Sequence, residues 1–211
     1  MNKNEKFVIT INREVGSGGR TVGRKLAERL AVKYYDKALV EGLTEKYGLS
    51  VAEIERLKAK DKTWWDEFND FYRSFMSKVA LTNSDADAKP TTVEMFETER
   101  HILEQLASRE SCVVAGRSAF LVFRDWPNHV HVFIQASTAY RMNRIMNRQG
   151  VSMQHAIDII DELDNRRETY MKQFTDRSRY DTRNYQLVIS MDNLTEDAAV
   201  DIIMAYLNNL A

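Results

Sequence analysis

Ile9-Thr10-Ile11-Asn12-Arg13-Glu14-Val15-Gly16-Ser17-Gly18-Gly19-Arg20-Thr21 is the stretch that decides the fold. It begins in the apolar run Phe7 to Ile11, which reads as a buried strand. It ends where Val22, Leu26, Ala27, Leu30 and Ala31 fall at the spacing of an amphipathic helix over Thr21–Val32. Four of the chain's eight glycines lie at Gly16, Gly18, Gly19 and Gly23. A glycine-rich turn therefore joins a strand to a helix. Such a turn lets backbone N–H groups approach an anion closely, and the helix that follows adds the positive end of its dipole.

The same alternation continues outward from this turn. Tyr34-Tyr35-Asp36, Cys112 to Gly116, Val130 to Ile134 and Gln186 to Ser190 read as further strands, and helical stretches separate them. Helices are expected over 37–47, over 51–80 and from Thr91 to about Arg109, the last two opened by the capping-box pairs Ser50/Glu53 and Thr91/Glu94. Asn83 to Pro90 is the clear loop. Strand–helix alternation predicts a parallel sheet with helices on both faces, an α/β fold of three layers.

The 211 residues suit one domain with an insertion. Lys and Arg number 30 against 31 Asp and Glu, so no global basic field points to nucleic acid or an anionic membrane. Anion binding must be local. The single cysteine, Cys112, excludes an internal disulfide and reads as a small buried hydrophobe. The N-terminal apolar run is too short for a signal peptide or a membrane span, so the expectation is a cytoplasmic protein.

Gly19-Arg20-Thr21 stands where a phosphate-loop pattern ends in Gly-Lys-Ser/Thr, with Glu14 at the pattern's first glycine. In that pattern Gly16, Ser17, Gly18, Gly19, Arg20 and Thr21 hold the ATP phosphates, Arg20 reaches the β/γ phosphates and Thr21 takes Mg2+. Arg141, Arg144 and Arg148 repeat at three and four residues, one helical face able to close over phosphates. Of the adjacent pair Arg166 and Arg167, Arg167 is the favoured site residue. Arg177, Arg179 and Arg183 read as surface charges, His129 and His131 as structural, and Trp64 and Trp65 as core or interface.

Three blocks resemble the cytidylate kinase-like branch of the P-loop nucleoside monophosphate kinases: Arg13 to Arg20; Val113 to Ser118 followed by Asp125 to Ser137; and Arg141, Arg144 and Arg148 followed by Asp164 to Arg167. The resemblance implies a three-layer P-loop NTPase fold with a five-stranded parallel sheet. It implies a core of 1–36, 110–140 and 184–211, a helical acceptor-binding insertion at about 37–109 and an arginine-bearing lid at about 141–183. It implies ATP-dependent phosphoryl transfer to a nucleoside monophosphate, CMP or dCMP foremost, with Arg20, Arg117, Arg141, Arg144, Arg148 and Arg167 as catalytic cations. Acceptor contacts would fall to Asp36, Lys37, Arg117, Ser118 and Asp164. Partners would be ATP, Mg2+ and a small phosphorylated acceptor, with neither nucleic acid nor membrane, in a monomer or homodimer. Ala115 and Ser118 stand where the family's common pattern carries aspartate, and Lys37 replaces a hydroxyl residue. Another phosphorylated acceptor, or nucleotide binding without turnover, are the rival readings.

Overall fold

The computed structural model describes residues 1, 2, 4–36, 96, 100, 103, 104, 106–116 and 119–210. Lys37, Arg117, Ser118, Trp64, Trp65 and the helices expected over 37–47 and 51–80 lie outside these residues. The chain divides into two compact units, Met1–Tyr35 with Leu103–Ala211, and Asp36–Ile102. The cavity and side-chain network described below belong to the first.

The element order is β1 (Val8–Arg13), α1 (Gly19–Leu30), β2 (Lys33–Asp36), β3 (Cys112–Ala115), α2 (Ala119–Val122), β4 (His129–Gln135), α3 (Thr138–Gln149), α4 (Met153–Lys172), a 3-10 turn at Thr182–Asn184, β5 (Leu187–Ser190) and α5 (Glu196–Asn208). Helical backbone at 106–109 leads into β3. The strands form one five-stranded parallel sheet in the order β2-β3-β1-β4-β5. In register, Val8 faces Cys112 on one side and His129 on the other. The chain crosses from one side of β1 to the other between β3 and β4. The turn after β1 thus opens at the carboxyl ends of the strands, at the point where the winding reverses, where open α/β sheets bind ligands.

Alternation along the strands divides the apolar side chains between two faces. Ile9 and Ile11 of β1 and Val130, Val132 and Ile134 of β4 pack with Val22, Leu26 and Ala27 of α1 and with Ala199, Val200, Ile203 and Leu207 of α5. On the opposite face Phe120 of α2, Phe133 of β4, Met171 of α4 and Tyr185 form a second cluster. Ile145 of α3 meets Ala156 and Ile160 of α4 in a third. Helices thus cover both faces, as the alternation predicts. The strand ends shift by one or two residues from the sequence reading, and α1 starts at Gly19 rather than Thr21. Gly18, at φ 88, takes the left-handed conformation at the N-cap and lets the helix begin two residues sooner.

The second face also carries polar groups. Thr10 and His131, on neighbouring strands, hydrogen-bond through Oγ1 and Nδ1 at 2.7 Å. His131 is buried and stacks on His129 with ring centroids 4.4 Å apart. Burial, reinforced by the charge of His129, pushes the His131 pKa down from 6.5 to about 3. Cys112 is buried at the start of β3. The expected structural roles of both residues agree with these positions.

A depressed folded pKa favours the neutral ring, so this contribution to stability is complete above pH 6.5 and is lost as the pH falls from 6.5 towards about 3. Over that window it contributes a slope of up to roughly 1.4 kcal/mol per pH unit. Denaturant unfolding at pH 7, 5.5 and 4.5 should show His131→Gln losing less stability than the parent on acidification, by close to one proton's worth. Parallel curves for the two proteins would contradict the assignment.

Candidate phosphate-binding site

The turn between β1 and α1 is built against α3. Gly16 sits at φ 81, and a Cβ there would lie 2.8 Å from the main-chain oxygen of Arg141. A Cβ at Gly19 would lie 2.6 Å from Arg13 Cβ. The first glycine supplies a left-handed turn and room for a helix to approach, the second only room. Ser17 is buried and donates its hydroxyl hydrogen to the Glu14 carbonyl at 3.0 Å, closing the turn on itself.

The turn and the helices around it enclose a cavity of about 190 Å³ lined by residues 13–16 and 18–21 of the turn, by Arg144, Ile145, Arg148 and Gln149 of α3, and by Arg167 of α4. Five arginines therefore surround one glycine turn, at the amino end of α1. Two of them, Arg144 and Arg167, are held by carboxylates, Glu196 and Asp164. Arg144 donates to Glu196 at 2.5 Å. Partial burial pushes the Glu196 carboxyl up, and that hydrogen bond, with its own backbone N–H and the charge of Arg144, more than offsets the push, leaving it below its ordinary value. Partial burial, with Arg144 close by, pulls the Arg148 guanidinium below its ordinary value. A site dense in cations raises the cost of each one until an anion arrives.

Beneath the turn lies Asp164. Its carboxylate accepts the Val15 N–H at 3.2 and 3.3 Å, Arg141 at 2.7 Å, Arg179 at 3.1 Å and Arg167 at 3.2 Å. Arg179 also donates to the Arg13 carbonyl, which Arg167 reaches at 3.3 Å. Glu14 completes the frame. Its Oε2 accepts the Ala136 N–H at 3.0 Å and lies 3.7 Å from Arg141 Nε.

The sequence-predicted residues are thus distributed as follows. Gly16, Gly18, Gly19, Arg20, Thr21, Arg144, Arg148 and Arg167 line the cavity, while Ser17 is buried within the turn. Arg141 shares α3 with Arg144 and Arg148 but points beneath the turn to Asp164 and Glu14. Asp164 lies in that same buried layer, and Asp36 closes β2. Arg166 pairs with Glu162 along the exposed face of α4, so the helix separates it from Arg167 as expected. Arg179 corrects the sequence reading, because it is fully buried and not a surface charge. Its neighbours Arg177 and Arg183 are exposed, and the polar run around them carries no local sign that the middle arginine turns inward.

A model of the cytidylate kinase-like family matches residues 8–193. A cytidylate kinase of Sulfurisphaera tokodaii is 26% identical over 206 residues, covering 96% of each chain. A cytidylate kinase of Methanopyrus kandleri is 26% identical, covering 96% of this chain and 94% of its own. Among solved structures, an uncharacterized protein from Eubacterium ventriosum superposes with a TM-score of 0.69 at 23% identity, covering 97% of this chain and 99% of that one. Shikimate kinase from Bacteroides thetaiotaomicron superposes with a TM-score of 0.52 at 16% identity, covering 96% and 98%. These two likenesses concern the fold. No helix among the described residues is long and apolar enough to cross a membrane.

Gly16 and Gly150 separate the two costs of replacing a glycine. Gly150 has φ 66 with nothing within 4 Å of an added Cβ, whereas Gly16 combines φ 81 with the Arg141 oxygen. Gly150→Ala should cost about 1 kcal/mol in denaturant unfolding, the left-handed penalty alone. Gly16→Ala should cost roughly 2–3 kcal/mol, since backbone must also move. Equal losses for the two would mean that α3 yields freely at the turn.

Proposed function

The chain belongs to the cytidylate kinase-like family, and from that membership we propose that it transfers the γ-phosphoryl group of ATP to a nucleoside monophosphate, with CMP or dCMP as the acceptor. The observation that carries this reading is the convergence of Arg20, Arg144, Arg148 and Arg167 on a glycine turn at the amino end of α1. Phosphoryl transfer asks for positioned positive charge around the equatorial oxygens and for in-line alignment more than for a strong base. An acceptor phosphate oxygen attacks Pγ, the bond from Pγ to the bridging oxygen breaks, and ADP leaves with a nucleoside diphosphate as the other product.

In this reading Gly16, Ser17, Gly18 and Gly19 present backbone to the ATP phosphates, and Arg20 accompanies the β and γ groups. Arg144, Arg148 and Arg167 reach the same cavity from α3 and α4, supplying charge from the opposite side. Arg141 acts from beneath the turn. The acceptor is assigned to Asp36, Lys37, Arg117, Ser118 and the insertion at 37–109, whereas Asp164, expected as an acceptor contact, is buried beneath the turn with its carboxylate taken by Val15, Arg141, Arg167 and Arg179.

Thr21 lines the cavity and offers the hydroxyl expected of a magnesium site. No group of three or more His, Cys, Asp or Glu side chains that could hold a metal occurs among the described residues. That donor set fits Mg2+ carried in by nucleotide phosphates and waters, with few protein ligands. Bound there, the ion would neutralise charge on the β and γ oxygens.

The relatives named cytidylate kinase support CMP as the acceptor. The test is ADP formation from Mg-ATP with no acceptor and then with CMP, dCMP, UMP, AMP and GMP. CMP or dCMP should accelerate it most, and Arg117→Ala should lower the accelerated rate on the order of 10²- to 10³-fold, as for loss of one preorganised donor to developing charge. Faster turnover with another monophosphate would replace the acceptor assignment. Acceleration by none of the five would remove the monophosphate kinase reading.

A further inference from the structure

The most deeply buried charges in the first unit are not those that line the cavity. Arg179 is fully buried, Asp164 is 7% exposed and Arg141 is 9% exposed. Arg179 sits in the segment between α4 and β5 and spans two main-chain regions. One nitrogen of its fork donates to the Arg13 carbonyl, where β1 passes into the glycine turn, and the other donates to Asp164 at 3.1 Å. Its own backbone is fixed as well, since its N–H donates to Glu168 at 3.1 Å and its carbonyl accepts the Tyr185 hydroxyl at 2.6 Å. The guanidinium carbon lies 4.8 Å from the Tyr180 ring centroid and 5.9 Å from that of Phe133.

Asp164 occupies the position of an internal anion. It accepts from the Val15 N–H of the turn and from three guanidiniums, and of those three only Arg167 also lines the cavity. We propose that Arg179 and Asp164 form a positioning pair: together they hold the entry of the phosphate-binding turn, Arg141 and Arg167 in the geometry that receives a polyphosphate, with Arg167 as the member that reaches from the buried carboxylate to the bound phosphate. For catalysis this rests on the reading of the protein as a monophosphate kinase; for anion binding it does not.

Charge and position predict opposite signs for one substitution. Asp164→Asn removes a negative charge from a cluster of cations, so if Asp164 acted only through its charge, anions would bind more tightly. If it acts by placing the turn and the arginines, they bind more weakly. Arg179→Lys keeps the charge but loses the planar fork that joins Arg13 to Asp164.

The experiment is calorimetric titration of inorganic tripolyphosphate into the full chain, the Asp164→Asn variant and the Arg179→Lys variant, each with a thermal melt to establish folding. Both variants should bind tripolyphosphate at least about fivefold more weakly, a loss of roughly 1 kcal/mol. With Mg-ATP and the best acceptor, KM for ATP should rise about fivefold in step with the weaker tripolyphosphate binding, while kcat falls further, about 10- to 100-fold, the pattern of misplacement. A folded Asp164→Asn protein that binds tripolyphosphate as tightly as the parent, or more tightly, overturns the proposal while leaving the kinase reading intact. Should Arg179→Lys fail to fold, the near-isosteric Asp164→Asn decides alone. Weaker tripolyphosphate binding in a protein that phosphorylates none of the five acceptors supports the pair and removes only the kinase reading. A parent that binds no tripolyphosphate overturns both.

Discussion

The buried carboxylate of Asp164 is the constraint on which the phosphate-binding side of the molecule depends. A carboxylate that leaves water loses hydration worth several kcal/mol, and it is tolerated only where donors replace that hydration. Asp164 has four: three guanidiniums and the Val15 N–H. Each donor comes from a different element or turn, namely β1's exit, α3, α4 and the segment before β5. One side chain on α4 thereby ties together the exit of β1, α3 and the segment before β5. Removing one partner of such a cluster leaves uncompensated buried charge, commonly at a cost of roughly 3–5 kcal/mol, so the arrangement is held more by the penalty of losing a member than by the gain of keeping it.

That frame explains how so many cations gather around one turn. Like charges at these separations repel, and the protein answers with carboxylates set one layer back: Asp164 under Arg141, Arg167 and Arg179, Glu196 behind Arg144, and Glu14 beside Arg141. Asp164 and Glu196 do not line the cavity, where they would oppose a phosphate, and Glu14, which does line it, turns its carboxylate to the Ala136 N–H and Arg141. Arg144 is 17% exposed along its side chain and Arg167 is 21%, intermediate between the sealed layer below and open solvent. A cation so placed can trade part of its contact with a carboxylate for contact with an anion without being desolvated anew, which is how preorganised charge avoids reorganisation at the moment of reaction.

Much of the fold was legible in the chain because its signals are local. Apolar runs of four or five residues gave the strands, the glycine cluster gave the turn, and the three-and-four spacing placed Arg144 and Arg148 together. Arg167 was separable from Arg166 for the same reason, since neighbours on a helix face different ways. What was not legible depends on pairing between distant segments. Arg179 stands in Asp176-Arg177-Ser178-Arg179-Tyr180-Asp181, a run indistinguishable from a solvated loop, and its partner at the Arg13 carbonyl is 166 residues away. Asp164 was visible as a site residue, but its direction was not, because a helical position tells which neighbours share a face and not which distant arginines meet there. Spacing groups Arg141 with Arg144 and Arg148, yet the approach of α3 to Gly16 turns it under the loop while the other two line the cavity.

The departure of Glu14 from the phosphate-loop pattern follows from the same geometry. Among the described residues, the only non-glycine positions with positive φ are Ala31 and Asn193, so Glu14 stands in backbone that any residue adopts, and the left-handed conformations of the turn fall instead at Gly16 and Gly18. A glycine at 14 would therefore gain nothing for the turn. The main chain at 14 donates its N–H to the Ile134 carbonyl at 3.0 Å and accepts from Ser17 as any residue's would, and the side chain adds to this: its carboxylate takes the Ala136 N–H and faces Arg141. Those contacts tie the start of the turn to the carboxyl end of β4 and the base of α3. The glycine of the common pattern has been exchanged for a strut, and the exchange is possible because α3 lies close enough to supply the arginine that balances its charge.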